Sequence, residues 1–253
     1  MNTESAEERQ EAFNNIFTNR VWIKASKVKT IKKFSDIQAS GKASQPSITR
    51  NAQEALTNAI AYIKAELNVE KIKLLDIPCG DLVWMHDYLK GRDDIEYIGV
   101  DIVRPIIEHH KKEYKGSGWT FIQHDIAATP LNINVDLIFS RQMLQHLSNY
   151  ETLRVLNHLS RSGSKYLLTT TFLTTDINVD LPTFKQGRFR KENLELLPFA
   201  LAPPLCVGKD PGWGTATLGL WELPLNQVTM CSRVTSTTFS DDKNRPQIYY
   251  SCT

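Results

Sequence analysis

Residues 71–81 read KIKLLDIPCGD, a short and nearly continuous apolar run that ends in polar residues and a glycine. Such a run is typical of a strand that is buried on both faces of a parallel sheet. Four further runs follow it along the chain, IEYIGVDI, WTFIQHD, VDLIFSR and KYLLTTTF, and amphipathic helical segments are interleaved with them. Strands that alternate with helices predict a doubly wound α/β sheet, because crossovers between parallel strands are right-handed.

Two later runs extend this prediction. PLCVG and TLGLWEL are joined by the turn KDPGWG and favour an antiparallel pair. We therefore expect a Rossmann-like, mostly parallel, seven-stranded sheet with an antiparallel last strand. Residues 1–50 begin with a helical pattern and are predicted to be an N-terminal helical cap or lid. Residues 51–225 are predicted to form the sheet domain, and the polar tail 226–253 to be flexible or to add an edge strand.

The composition is that of an ordinary globular protein, with 41% hydrophobic residues and a net charge of +2. No window approaches the roughly 18 uninterrupted apolar residues of a membrane span. The first ten residues lack the basic start and apolar core of a secretory signal. Four scattered cysteines predict neither a disulfide framework nor a zinc site, and we expect a cytoplasmic protein. A lysine cluster between Lys24 and Lys33 is expected to be a solvated surface, so nucleic acid is not the favoured partner.

Acidic residues stand where the first three predicted strands end. Asp76, Asp101 and Asp125 occupy these positions, and Gly80 lies in the turn after the first strand. Ligands of open α/β sheets bind beyond the carboxyl ends of the strands. The G-x-G-x-x-G motif of dinucleotide sites is absent, and Asp81 follows the glycine where it would repel a pyrophosphate. S-adenosylmethionine (SAM) carries an ammonium and a sulfonium group but no phosphate, so SAM is the predicted cofactor.

Several motifs in the sequence resemble those of class I SAM-dependent methyltransferases. They read LLDIPCGDLVWM, YIGVDIV, LIFSRQMLQHLS, YLLTTTF and PFALAPPL, with LGLWEL near the end. Within that class they are similar to a subgroup whose first motif is D-x-P-C-G-D, and Pro78 replaces the first glycine of the usual D-x-G-x-G. The likeness covers roughly residues 13–225. It includes a weaker match at SGKAS, where Ala43 replaces a usual glycine.

The resemblance implies roles for the residues at the strand ends. Asp76, Cys79 and Gly80 would hold the methionine end of SAM. Asp101, with the neighbouring Ile102, would bind the ribose hydroxyls. The adenine would lie between Asp125 and Ile126, and Arg141 would face the reacting centre.

Methyl transfer is an in-line displacement, so the protein must align the acceptor and, for a hydroxyl, remove its proton. His146, a few residues past the fourth strand, is the predicted general base; the alternative is that it caps a helix or holds the loop. Asp81 either binds the cofactor amino group or the acceptor, or it caps the next helix, LVWMHDYLK, which is predicted to begin at Leu82. Trp22 and Trp84 either wall the acceptor pocket or pack in the core.

The basic segment GRFRK has two interpretations: Arg188, with Arg190 and Lys191, either binds an anionic acceptor or belongs to a charged loop. No metal site is predicted. His110 is expected to be solvated, like its neighbour His109.

The favoured function is O-methylation of a small molecule or of a sugar hydroxyl within a glycan. A candidate histidine base supports oxygen as the acceptor atom. Methyltransferases that act on amino groups of nucleic acids carry an N/DPPY-type tetrapeptide after the fourth strand, whereas this chain has SRQM there. Two alternatives stay open. One is a protein or RNA methyltransferase that docks its substrate on the lysine cluster, and the other is a SAM-binding protein without turnover.

Overall fold

A computed structural model describes residues 5–26, 39–181, 189–210, 212, 214–226, 234–240 and 246–252. The six α-helices of this part are α1 (Ala6–Thr18), α2 (Val21–Ser26), α3 (Arg50–Leu67), α4 (Met85–Leu89), α5 (Arg104–Glu113) and α6 (Asn149–Ser160). The strands are β1 (Ile72–Asp76), β2 (Ile95–Asp101), β3 (Thr120–Gln123), β4 (Leu137–Ser140), β5 (Tyr166–Thr171), β6 (Cys206–Lys209), β7 (Thr217–Glu222), β8 (Val234–Ser240) and β9 (Pro246–Cys252). None of the described helices has the length and apolar character needed to cross a membrane.

Seven strands form one sheet in the order β3-β2-β1-β4-β5-β7-β6. The first five pair in parallel, and β7 runs antiparallel to both β5 and β6. The Rossmann-like fold predicted from the alternation of strands and helices, with its antiparallel last strand, is thereby confirmed.

The sheet is covered on both faces, which explains why its central strands are nearly continuous apolar runs. Every residue of β4 and of β5 is buried. In β1, successive side chains point to opposite faces, and Leu74 packs with the helix α3 side of the core while Leu75 packs with the α6 side. With its central strands covered on both faces, the sheet can meet a ligand at its strand ends.

Capping residues mark the start of two of the helices. Ser5 and Glu8 form a capping box at the start of α1, and Ser148 and Glu151 form another at the start of α6. The cap of α6 also holds the Glu151 carboxylate, which forms an ion pair with Arg9 in the site described below.

The structure corrects two expectations about individual elements. The helix predicted from Leu82 begins only at Met85, because Leu82 has a left-handed backbone with φ 52°. The described part of the tail forms a separate two-stranded sheet of β8 and β9, so it adds no edge strand to the main sheet.

Candidate functional site

A cavity of about 540 Å³ lies at the carboxyl ends of β1 to β4. Its volume is within the range of about 300–1,000 Å³ that is typical of small-molecule sites. Side chains of α1 and α2 and the segment 39–44 line it from the N-terminal part of the chain. All residues that the resemblance assigns to the cofactor line this one cavity, namely Asp76, Cys79, Gly80, Asp101, Ile102, Asp125, Ile126 and Arg141.

The turn after β1 is held by hydrogen bonds on both sides of Gly80. Its N–H donates to Asp101 Oδ2 at 3.0 Å, and its carbonyl oxygen accepts from His110 Nε2 at 2.7 Å. Gly80 has φ 55°, a left-handed conformation that side chains other than glycine rarely adopt. Asp101 Oδ1 accepts from the Val103 N–H at 2.9 Å. Since each carboxylate oxygen has two lone pairs, Asp101 can still accept two ligand hydroxyls.

Burial raises the pKa of two carboxyl groups at the strand ends, those of Asp76 and Asp101. The pKa of Asp76 is raised to about 8, first by burial and then by the nearby Asp101, although the Tyr97 hydroxyl that donates to Asp76 Oδ2 at 2.8 Å lowers it. The pKa of Asp101 is raised to about 6, chiefly by burial. Near pH 7 Asp76 is therefore mostly neutral and Asp101 mostly ionised. A cationic ligand would favour ionisation of Asp76.

Asp81 binds the segment that covers the cavity. Its Oδ2 accepts from the Ala39 and Ser40 N–H groups at 2.9 and 2.8 Å, and its Oδ1 accepts from the Ser40 hydroxyl at 2.8 Å. The predicted helix cap is wrong, because α4 begins at Met85 and Trp84 holds the N-cap position. The geometry makes Asp81 a positioning residue for residues 39–40, and a direct role in binding cofactor or acceptor stays a prediction.

Asp125 is joined to α1 by an arginine that the sequence analysis missed. Arg9 Nε and Nη2 donate to Asp125 Oδ2 at 3.0 and 2.7 Å, and Arg9 Nη1 forms an ion pair with Glu151. Arg9 is only 3% exposed. The signal available in the sequence was its spacing, because Arg9 lies four residues before Phe13 and seven before Ile16, on the apolar face of the helix.

The Arg141 guanidinium also forms its hydrogen bonds with groups of the protein. Its Nε and Nη2 donate to the two carboxylate oxygens of Asp210 at 2.9 and 2.8 Å, and Nη2 also donates to the Ala43 carbonyl at 2.8 Å. A Cβ on Gly212 would lie 2.9 Å from the Ala43 Cβ, so this loop packs tightly on the segment 39–44. Arg141 therefore ties the end of β4 to both segments while it lines the cavity.

His146 lies in the short 3₁₀ turn Leu144–His146 after β4, and it lines the cavity as predicted. Its ring packs on Trp22 with centroids 5.3 Å apart and planes inclined by 33°. Trp22 also contacts Phe13 edge to face, at 6.4 Å. Trp84 lines the cavity too, but it belongs to the hydrophobic core and packs on Phe139. The assignment of His146 as a base and of the two tryptophans as acceptor contacts remains a prediction.

Two other expectations are overturned by burial. His110 is fully buried rather than solvated, because Tyr114 and Phe121 pack around it. Arg190 is buried as well; its guanidinium donates to the Leu147 carbonyl and pairs with Glu192 at 2.8 Å, so it is neither a solvated loop residue nor an open anion site. Arg188 and the lysines between residues 27 and 33 lie outside the described part of the chain.

Residues 74–163, from β1 to the end of α6, match the family model described as a methyltransferase domain. This part of the chain is therefore similar to a methyltransferase domain. It contains the ends of β1 to β4 and with them the acids and the histidine of the cavity.

Solved structures show the same fold. The Burkholderia thailandensis 1,6-didemethyltoxoflavin-N1-methyltransferase, with bound S-adenosylhomocysteine, has a TM-score of 0.57 at 14% identity, over 88% of this chain and 92% of its own. The magnesium protoporphyrin IX methyltransferase of Synechocystis PCC 6803, with bound SAM, has a TM-score of 0.55 at 12% identity, over 87% of this chain and 98% of its own. No curated protein sequence matches the chain. The fold is therefore that of SAM-dependent methyltransferases.

Proposed function

We propose that this protein is a SAM-dependent methyltransferase that transfers the methyl group to a hydroxyl oxygen of a small-molecule acceptor. The observation that carries the proposal is a single cavity that joins carboxyls at the ends of β1, β2 and β3 to a histidine just past β4. The methyltransferase domain at residues 74–163 and the two ligand-bound neighbours support it.

The donor set at the strand ends fits a cationic nucleoside without phosphates. Asp101 would accept the ribose hydroxyls with its two remaining lone pairs. Asp76 and the turn at Cys79 and Gly80 would hold the methionine end, and Asp125 would lie beside the adenine. When bound, SAM supplies a methyl carbon that its sulfonium group has already activated.

The protein must then orient the acceptor and take up its proton. An imidazole titrates near neutral pH, which suits a general base in the cell. Contact with Trp22 holds the His146 ring at the wall of the cavity. A positioned base of this kind contributes roughly a hundredfold to ten-thousandfold in rate.

The acceptor class follows from two lines of support. The sequence resemblance favours a sugar or glycan hydroxyl. The two neighbouring enzymes are named for the methylation of small molecules, magnesium protoporphyrin IX and 1,6-didemethyltoxoflavin. Both lines favour a small molecule or a single sugar unit over a folded protein or RNA surface.

Two measurements test the proposal. Calorimetry measures the binding of SAM and S-adenosylhomocysteine. Mass spectrometry detects methylated products after incubation with labelled SAM and an array of sugars, glycans and phenols. We expect saturable binding of both nucleosides and transfer to at least one small acceptor. Asp101→Ala should abolish the binding, whereas Asp93→Ala, on the exposed turn before β2, should preserve it. Folded protein that binds neither nucleoside would overturn the whole proposal. Binding without transfer to any acceptor would identify a protein without turnover, and transfer only to protein or RNA would contradict the small-molecule acceptor.

A further inference from the structure

Aromatic rings from three parts of the chain line the cavity that His146 also lines. We call these four residues the aromatic wall: Phe13 and Phe17 on α1, Trp22 on α2, and Phe189 in the segment after β5. The first three are half-buried and Phe189 is 39% exposed, so none of the four rings is enclosed by the protein. The wall therefore adds aromatic surface to the lining of the cavity.

Several polar side chains that line the cavity already form hydrogen bonds within the protein. Arg141 donates to Asp210, and its neighbour Gln142 donates through Nε2 to the same carboxylate at 3.0 Å. The Gln142 amide oxygen accepts from Gln145 at 2.6 Å. These bonds occupy Arg141 Nε and Nη2 and both ends of the Gln142 amide, so fewer polar groups remain for a sugar with several hydroxyls or for an anionic acceptor. A buried polar group of the ligand that finds no partner weakens binding, so such a ligand is disfavoured here.

We propose that the acceptor is a flat aromatic small molecule with a phenolic hydroxyl, which stacks on the aromatic wall and directs its hydroxyl at His146. This inference rests on the proposed function and names the acceptor class of the same site. Trp22 is the most important residue of the aromatic wall for this proposal, because its ring contacts both Phe13 and the His146 imidazole. Because Trp22 and His146 are in contact, a ligand ring that packs on Trp22 would lie next to the histidine.

The chemistry of proton removal agrees with this class. A phenolic hydroxyl has a pKa of about 10, as in tyrosine, whereas that of water is about 15.7 and an aliphatic hydroxyl is similarly reluctant to ionise. A single imidazole is therefore far better matched to a phenol than to a sugar hydroxyl. The acceptor oxygen forms its bond to the methyl carbon as the carbon–sulfur bond breaks. The electron pair of that bond stays on sulfur, and the hydroxyl proton passes to a ring nitrogen of His146.

The test measures binding separately from turnover. Saturation-transfer NMR on the full chain with S-adenosylhomocysteine would use three probes: phenols of one to four fused rings, cyclohexanol, and methyl glucoside. We expect at least one phenol to bind at least about tenfold more tightly than either non-aromatic alcohol. With SAM, mass spectrometry should detect the methyl ether of the same phenol.

Variants assign the binding to the aromatic wall. Trp22→Ala and Phe13→Ala should each weaken phenol binding by about tenfold while S-adenosylhomocysteine affinity stays unchanged, which also shows that the variant is folded. Trp22→Phe should keep most of the affinity. Tyr150→Ala is the matched control, because Tyr150 is 45% exposed and is not among the residues that line the cavity.

The outcomes distinguish this inference from the proposed function. If sugars bind and are methylated while no phenol binds, the aromatic acceptor is wrong and the methyltransferase stands. Phenol binding that is unaffected by both alanine variants also overturns the inference. If S-adenosylhomocysteine itself does not bind, it is the proposed function that fails.

Discussion

His110 Nε2 donates a hydrogen bond to the Gly80 carbonyl oxygen at 2.7 Å, and this bond joins α5 to the turn that opens the cavity. Because the acceptor is a carbonyl, Nε2 must carry the proton. Burial is the main cause that lowers the pKa of His110, so its ring stays neutral. Within the described residues His110 Nδ1 has no hydrogen-bond partner. The shape of the turn thus depends on a fully buried neutral histidine.

Replacing His110 by Phe should weaken cofactor binding and stability together. The Gly80 carbonyl would lose its buried donor, which costs about 1–3 kcal/mol in the free energy of unfolding. We expect S-adenosylhomocysteine affinity to fall about tenfold as the turn relaxes. Calorimetry and urea denaturation measure the two effects. His109→Phe, at a half-exposed position on the same helix, serves as the control. Wild-type affinity in His110→Phe would show that the turn holds its shape without this bond.

Binding of SAM should release a proton near pH 7. Asp76 has a pKa of about 8 in the free protein, so it is mostly protonated at pH 7. The ammonium of SAM would favour the carboxylate, so affinity should rise as the pH approaches 8. The binding heat at pH 7 should then depend on the ionisation enthalpy of the buffer. Asp76→Asn removes the ionisable group, and its binding heat should be independent of the buffer. A buffer-independent heat in the unmodified protein contradicts the prediction.

The same raised pKa has a consequence for the ligand-free protein. Asp76 binds its proton more tightly in the folded state than in the unfolded chain, where its pKa is about 3.9. The contribution of this residue to stability is therefore complete below about pH 4 and declines as the pH rises to about 8. Urea denaturation of Asp76→Asn should lack this component of the pH dependence.

Replacing His146 by Ala should slow methyl transfer and spare the cofactor. We expect the turnover rate to fall roughly a hundredfold to ten-thousandfold, because the acceptor hydroxyl loses its base. Affinity for S-adenosylhomocysteine should stay within about twofold, since the strand-end carboxyls are untouched. Single-turnover rates and calorimetry separate the two quantities, with His109→Ala as control. Unchanged turnover in His146→Ala would refute the assignment of the base.

Replacing Arg9 by Met should destabilise the protein strongly. Asp125 and Glu151 would lose their common counter-ion, and the Glu151 side chain is only 7% exposed. Removal of one partner from a buried ion pair costs about 3–5 kcal/mol. Urea denaturation measures the loss, and Glu11→Ala, exposed on the same helix, should change little. Adding Glu151→Gln to Arg9→Met should recover part of the stability. A loss below about 1 kcal/mol would contradict the importance of this bridge.

The sheet and the residues that line the cavity at its strand ends could be predicted because their signals are local. Each of the first five strands is marked by a short segment rich in apolar residues. The residues at the ends of β1 and β2 must then meet at one edge of a parallel sheet. His146 was predicted on the same basis, from its place just past β4. These inferences need only the order of the elements along the chain.

The partners of those residues were decided by the tertiary structure alone. Arg9 and Asp125 are 116 positions apart, Arg141 and Asp210 are 69 apart, and His110 lies 30 residues from Gly80. No local pattern encodes such pairs, because only folding brings the segments together and removes the water that would otherwise solvate each charge. The sequence alone therefore determined the sheet, and which carboxyls and which histidine stand at its edge. The burial that neutralises Asp76 and encloses His110, and the ion pair that engages Arg141, arise only when segments that are distant in the sequence pack together.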